Sequence, residues 1–143
     1  RQIEITRVTL SGRDGDSFIF HTGDPMRVAM TVLAHAPATD FVFGVSFFNA
    51  DGVCCYGTNT YIEQMDPLPL ESEVVVTFDI DSLDLVEGNY KLDVAVHTCD
   101  GYPYDYHRLL YTFRMKSRTP DVGIYRPKHQ WSFSPGIRFK ETT

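Results

Sequence analysis

The residues of this 143-residue chain with chemistry to offer crowd into one stretch. HTCDGYPYDYHRLLY, residues 97–111, carries His97, Cys99, Asp100, Asp105, His107 and Arg108, with Tyr102, Tyr104 and Tyr106 at two-residue steps and Asp93 just upstream. Asp93 with Asp100 or Asp105 is the right pair of types for glycoside hydrolysis, in which one carboxyl stays protonated in a pocket while the other attacks or activates water. A sheet face offers little of the desolvation that raises a carboxyl pKa, so this reading carries little weight. His97, Cys99 and the vicinal Cys54 and Cys55 are zinc-ligand types, yet neighbours along a strand point to opposite faces and do not readily close one tetrahedral shell. Cys99 with His97 as nucleophile and base would share one strand, with no third group to orient the base. Recognition remains: aromatic faces pack on the apolar side of a sugar ring, and carboxylate, imidazole and guanidinium groups bond its hydroxyls.

Such groups need a frame, and the chain supplies a pattern for one. Alternation of period two dominates, and no stretch has a convincing helical period. The pattern predicts strands near residues 2–10, 18–21, 26–35, 40–49, 53–61, 73–80, 88–99 and 104–116, with Gly, Pro, Asn and Asp clusters between them. Asp51-Gly52 and Asp100-Gly101 are hairpin turns tolerant of positive φ. Pro67 and Pro69 make MDPLPLESE a loop, and DSLDLVEGNY reads as a crossing between sheets anchored by Leu83, Leu85 and Val86. The fold class is therefore all-β, an antiparallel β-sandwich of the immunoglobulin-like or jelly-roll-like kind. Residues 1–117 form the sandwich, and 118–143 read as a linker and a last strand of the same domain, which can pair with its own sheet or with a neighbour's.

Parity assigns the faces. Tyr90, Leu92, Val94 and Val96 share a core face, as do Phe41, Phe43, Val45 and Phe47, and Leu109, Tyr111, Phe113 and Met115. The opposite sets, placed on one sheet, combine small Gly44, Ser46 and Ala95 with Tyr56, Thr58, Asp93, His97, Tyr106 and Arg108. Small residues in mid-sheet let the surface dip and the larger ones wall it, so these six are the expected carbohydrate-binding residues. Strict alternation puts Asn59 on the other face, reaching the trough only if YGTNT carries a bulge at Gly57.

Composition bounds the alternatives. A chain of this length buries roughly two thirds of its unfolded surface, enough to fold without disulfide or metal. With 13 Lys+Arg against 19 Asp+Glu the net charge is −6, which disfavours nucleic acid and anionic membrane as partners. An odd 3 cysteines, two of them adjacent, point to a reducing compartment. No window is long and apolar enough for a membrane helix, and RQIEITRVTL lacks the apolar core of a signal peptide. That opening lies inside a strand-like pattern without an initiator Met, which reads as a piece of a longer protein. Gly12, Gly15 and Gly23 are turn glycines, and no phosphate-binding glycine loop or Walker motif is present.

FVFGVSFFNADGVCCYGTNT at 41–60, EGNYKLDVAVHTCDGYPYDYHRLLYTFRM at 87–115 and GIYRPKHQW at 123–131 resemble, in this order, the C-terminal domain of Wzt-type ATP-binding subunits of ABC transporters that export O-antigen polysaccharide. The likeness runs from about residue 3 to residue 133. It implies a β-sandwich carbohydrate-binding domain that follows a fused ATP-binding domain and works with the transporter's membrane subunit. It implies further a homodimer made by exchange of the C-terminal strand, a cytoplasmic place at the inner face of the inner membrane, and recognition of the finished end of a lipid-linked glycan. Family members share the fold more than the ligand, so no sugar is carried over. The expectation is a non-catalytic module without cofactor or metal that couples an O-antigen polysaccharide to export. Its rivals are a purely structural dimerisation domain and a sugar-active enzyme.

Overall fold

The period-two alternation becomes strands at nearly the expected places. The computed structural model describes residues 1–141, and among these it has β1 (Ile3–Gly12), β2 (Gly15–Asp16), β3 (Ile19–His21), β4 (Met26–Ala34), β5 (Val42–Asn49), β6 (Cys54–Asn59), β7 (Glu73–Ile80), β8 (Gly88–His97) and β9 (Pro103–Lys116), with no helix. They form two sheets, in the orders β2-β1-β4-β7 and β3-β9-β8-β5-β6. All pairings are antiparallel except β3 with β9. Asp51-Gly52 and Asp100-Gly101 turn the β5–β6 and β8–β9 hairpins, with Gly52 and Gly101 at φ 80° and 93°, where a side chain would strain.

The core lies between the sheets. Ile3, Ile5, Leu10, Met26, Val28, Met30 and Val32 face Val45, Phe47, Leu92, Val94, Val96 and Met115, all buried. Phe113 is its hub, edge-on to Phe20 and Phe47 at 6.0 and 5.9 Å and stacked on Tyr90 at 5.7 Å. Such pairs add about 0.5–1.5 kcal/mol each to the area term. Tyr90 meets its own polar requirement by donating its hydroxyl to the Val86 carbonyl at 2.7 Å. The crossing from β7 to β8 is anchored as its sequence suggests, with Leu83 and Val86 buried and Leu85 half-buried.

Parity fails at three irregularities of the second sheet. On β6, Cys54 pairs with Phe48 and Tyr56 with Phe47, so Cys55 is an extra residue. On β9, Tyr104 is extra between Pro103 and Asp105, which pair with His97 and Val96. Farther along, Leu92 pairs with Tyr111 and Val94 with His107, so Arg108, Leu109 and Leu110 stand opposite Asp93 alone. Leu109, expected in the core, is instead exposed on this bulge at φ 50°. Tyr104, which parity with Tyr106 would turn outward, is half-buried and donates its hydroxyl to the Asp40 carbonyl at 2.7 Å. Beyond Lys116 the described chain makes no strand; Tyr125 forms a single bridge with Leu85, flanked by bonds from Val86 N to Ile124 O and from Arg126 N to Asp84 O.

Candidate functional site

The outer face of the second sheet can be read as a grid. One row runs Asn59, Gly44, Ala95, Tyr106 across β6, β5, β8 and β9, and the next runs Gly57, Ser46, Asp93 and then the β9 bulge. Glycine, serine and alanine in adjacent cells leave the surface low, while Asn59, Ile62, His97 and Tyr106 rise around it. The result is a depression of about 200 Å³ lined by these residues with Thr58 and Asp93. Its floor is close-fitted: a Cβ on Gly57 would meet Ser46 Oγ at 2.8 Å, and one on Gly44 would meet Asn59 Cβ at 3.6 Å and His97 Nε2 at 4.0 Å.

Each rim group is held by one bond and left with another to offer. His97 Nδ1 donates to the Thr98 carbonyl at 2.7 Å, which leaves Nε2 facing the depression as an acceptor in the neutral ring. Asn59 Oδ1 accepts from Ile62 N at 2.7 Å and fixes the turn after β6, leaving the amide nitrogen to donate. Tyr106 donates its hydroxyl to Asp93 Oδ2 at 3.0 Å while half of its ring stays in solvent. Burial first, and then that bond to Asp93, hold the Tyr106 phenol above its ordinary range. Thr58 Oγ1 donates to Glu63 at 3.4 Å.

Asp93 is 3% exposed, and its second oxygen accepts the backbone N–H of Leu109. A backbone donor that bulging has removed from the ladder is thereby satisfied by a buried carboxylate. Asp105, the other buried acid, does the same for β1: it accepts from Ile5 N at 2.9 Å, beside the irregularity at Thr6, with Arg1 at 3.3 Å and His107 at 3.4 Å. Asp105 pairs with the core-facing Val96, and Asp93 with the outward-facing Ser46, so the two carboxyls lie on opposite faces of one sheet. They do not form a hydrolytic pair. No group of three or more His, Cys, Asp or Glu among the described residues could share a metal ion.

Of the expected six, Thr58, Asp93, His97 and Tyr106 line this depression. The register corrects the face assignment on β6. Because Cys55 is the extra residue, Tyr56 and Thr58 pair with the core-facing Phe47 and Val45, whereas Gly57 and Asn59 pair with the outward Ser46 and Gly44. Tyr56 therefore lines a different, apolar groove of about 400 Å³ between the β6 and β7 edges, with Phe78, Ile80, Leu83, Leu85 and Tyr125. Arg108 rides the β9 bulge, exposed and outside the lining, though its charge tends to lower the Tyr106 phenol. Alternation alone missed Asn59, Gly57 and Ile62, because the bulge in this edge strand lies at Cys55 and not at Gly57 and no local residue type marks it.

The fold and parts of the sequence have known counterparts. The family model described as the Wzt C-terminal domain matches residues 1–127. An O-antigen export system ATP-binding protein, RfbB of Myxococcus xanthus, is 27% identical over 148 residues, covering 99% of this chain and 33% of its own length. The chain thus spans about a third of that relative. The crystal structure of the C-terminal domain of Wzt superposes with a TM-score of 0.85 at 18% identity, covering 93% of this chain and 84% of that one. The alkylpurine DNA glycosylase AlkC of Pseudomonas fluorescens, at TM-score 0.53 and 11% identity over 80% of this chain and 30% of its own, shares the sandwich fold alone. With a family match that spans all nine strands, this chain belongs to the Wzt C-terminal domain family.

Proposed function

We propose that this domain is a non-catalytic glycan-recognition module of an O-antigen export system, binding the end of the polysaccharide in the depression on the β9-β8-β5-β6 face. The observation that carries the reading is the floor of Gly44, Ser46, Gly57 and Ala95, ringed by an amide, an imidazole and a phenol that each keep a polar edge or an aromatic face for a ligand. A space of about 200 Å³ is smaller than the roughly 300–1,000 Å³ clefts that enclose drug-sized ligands, so it suits one sugar ring of a longer chain. The likeness to an O-antigen export system ATP-binding protein is consistent with the polysaccharide as the ligand and with an ATP-binding domain and a transporter membrane subunit as the assembly.

The tail supports a second element of the reading, a homodimer made by exchanging the last segment. Trp131, Phe133, Ile137 and Phe139 are exposed, while the β6–β7 groove offers an apolar surface beside an open sheet edge. Two depressions per dimer would compensate for shallow single sites by multivalency. A dimerisation module without a glycan site is the competing reading, favoured by the same exposed tail.

Isothermal titration with O-antigen polysaccharide from the source strain separates them. Saturable binding that weakens at least about tenfold in His97→Ala and Asn59→Ala supports recognition, and each tenfold step corresponds to about 1.4 kcal/mol. A folded dimer with no heat of binding supports the structural alternative.

A further inference from the structure

The character of the floor goes beyond the choice of sugar as a class. Resting on the glycan reading above, we infer that the depression selects an uncharged or amino-bearing sugar end and excludes one carrying phosphate, sulfate or carboxylate. Asp93 sets this preference. Both its oxygens are occupied by uncharged donors, the Tyr106 hydroxyl and the Leu109 N–H, and among the described residues no Lys, Arg or His forms an ion pair with it. At 3% exposed, with one donor already on each oxygen, it offers a ligand hydroxyl little access, yet its negative charge sits under the floor where water screens it poorly.

The rest of the lining does nothing to offset that charge. Ser46, Thr58, Asn59, Ile62, His97 and Tyr106 bring no lysine or arginine. Two cations flank the site from outside the lining: Arg108 on the bulge, whose charge reaches the Tyr106 phenol, and the exposed Lys91, two residues before Asp93 on the same face. The domain as a whole carries a net charge of −6. An anionic sugar end would meet like charge at short range in a partly dry site, and discrimination of at least about tenfold is the size such juxtapositions give. An ammonium group would gain by the same sign. The neutral donors and acceptors of the rim suit hydroxyl groups without preference for charge.

The test is a panel of matched oligosaccharides with uncharged, amino, carboxylated and phosphorylated ends, together with the polysaccharide of the source strain, measured on the whole domain. Bound ligands should have uncharged or amino ends, with anionic counterparts at least about tenfold weaker. Two variants should narrow that ratio. Asp93→Asn removes the charge while keeping an acceptor for Leu109 and a donor toward Tyr106. Ile62→Lys adds a cation on an exposed rim position without touching Asp93. Anionic ends bound as well as neutral ones, or a ratio unmoved by both variants, would overturn the inference while leaving the glycan reading standing. Binding of no glycan of any class by the folded domain would remove the glycan reading and this inference together.

Discussion

Replacing Asp93 by alanine should destabilise the domain through the site and not through the core. Its carboxylate accepts the Leu109 N–H and the Tyr106 hydroxyl, and it is 3% exposed. Hydrogen bonds to a charged acceptor contribute about 1.5–3 kcal/mol each, and an orphaned buried N–H costs about 1–3 kcal/mol. Tyr106 is half exposed and its hydroxyl can turn to water, so only the Leu109 bond counts in full. Relief of the buried charge offsets part of the loss. The net expectation is about 2–3 kcal/mol, near 6–10 °C in Tm for a domain of this size. Asp93→Asn keeps an acceptor and a donor in place and should lose less than about 1 kcal/mol. Urea unfolding followed by far-ultraviolet circular dichroism measures both; Trp131, exposed in the tail, is a poor reporter of the sandwich. A loss below about 0.5 kcal/mol for Asp93→Ala would refute the claim that this carboxylate holds the β9 bulge, since that is the scatter of ordinary surface substitutions.

Gly57→Ala should fold with a stability change within about 1 kcal/mol, because only the short Ser46 side chain must give way, yet it should cut polysaccharide affinity at least tenfold, roughly 1.4 kcal/mol, by raising the floor; calorimetry and urea unfolding check the two halves separately. Tyr90, Tyr104, Tyr106 and Tyr111 all have phenols raised above the ordinary value, with burial as the first cause. A raised phenol pKa means that the unfolded chain releases its proton first, so stability should be level below about pH 10 and fall as pH rises through the folded values. Spectrophotometric tyrosine titration should accordingly show a late class of phenols that ionises together with unfolding, and Tyr106→Phe should soften the fall. Truncation after Ser117 should leave a folded sandwich, because the residues removed include none of the buried core, but should convert a dimer to a monomer in multi-angle light scattering.

Much of this architecture is legible in the amino-acid sequence because a sandwich strand with one buried face must alternate. Tyr90, Leu92, Val94 and Val96 announce the core face of β8, and Gly44, Ser46 and Ala95 announce a low outer surface, and both sets lie where parity puts them. Parity is only a count, however, and an added residue changes it silently. Cys55 reverses the faces of β6, which sends Tyr56 into the apolar edge groove and brings Asn59 to the rim. Arg108, Leu109 and Leu110 lift off the ladder together, so Leu109 leaves the core although it matches the period of Tyr111 and Phe113. Nothing in the local residue types marks either bulge. What fixes the second is a long-range partner, the Asp93 carboxylate, which makes up for the ladder bond that Leu109 loses. Asp93 shows the same limit from the other side: its type and face suggest a sugar contact, while its bonds make it a support beneath the contact surface.

The most direct test of the glycan site is a nuclear magnetic resonance titration of the labelled domain with the source strain's O-antigen polysaccharide, following backbone amides. The account predicts saturable shifts concentrated at Gly44, Ser46, Gly57, Asn59, His97 and Tyr106, with Phe78, Leu83 and Tyr125 in the edge groove unmoved. Shifts centred on the edge groove, or none at saturating polysaccharide, would contradict it.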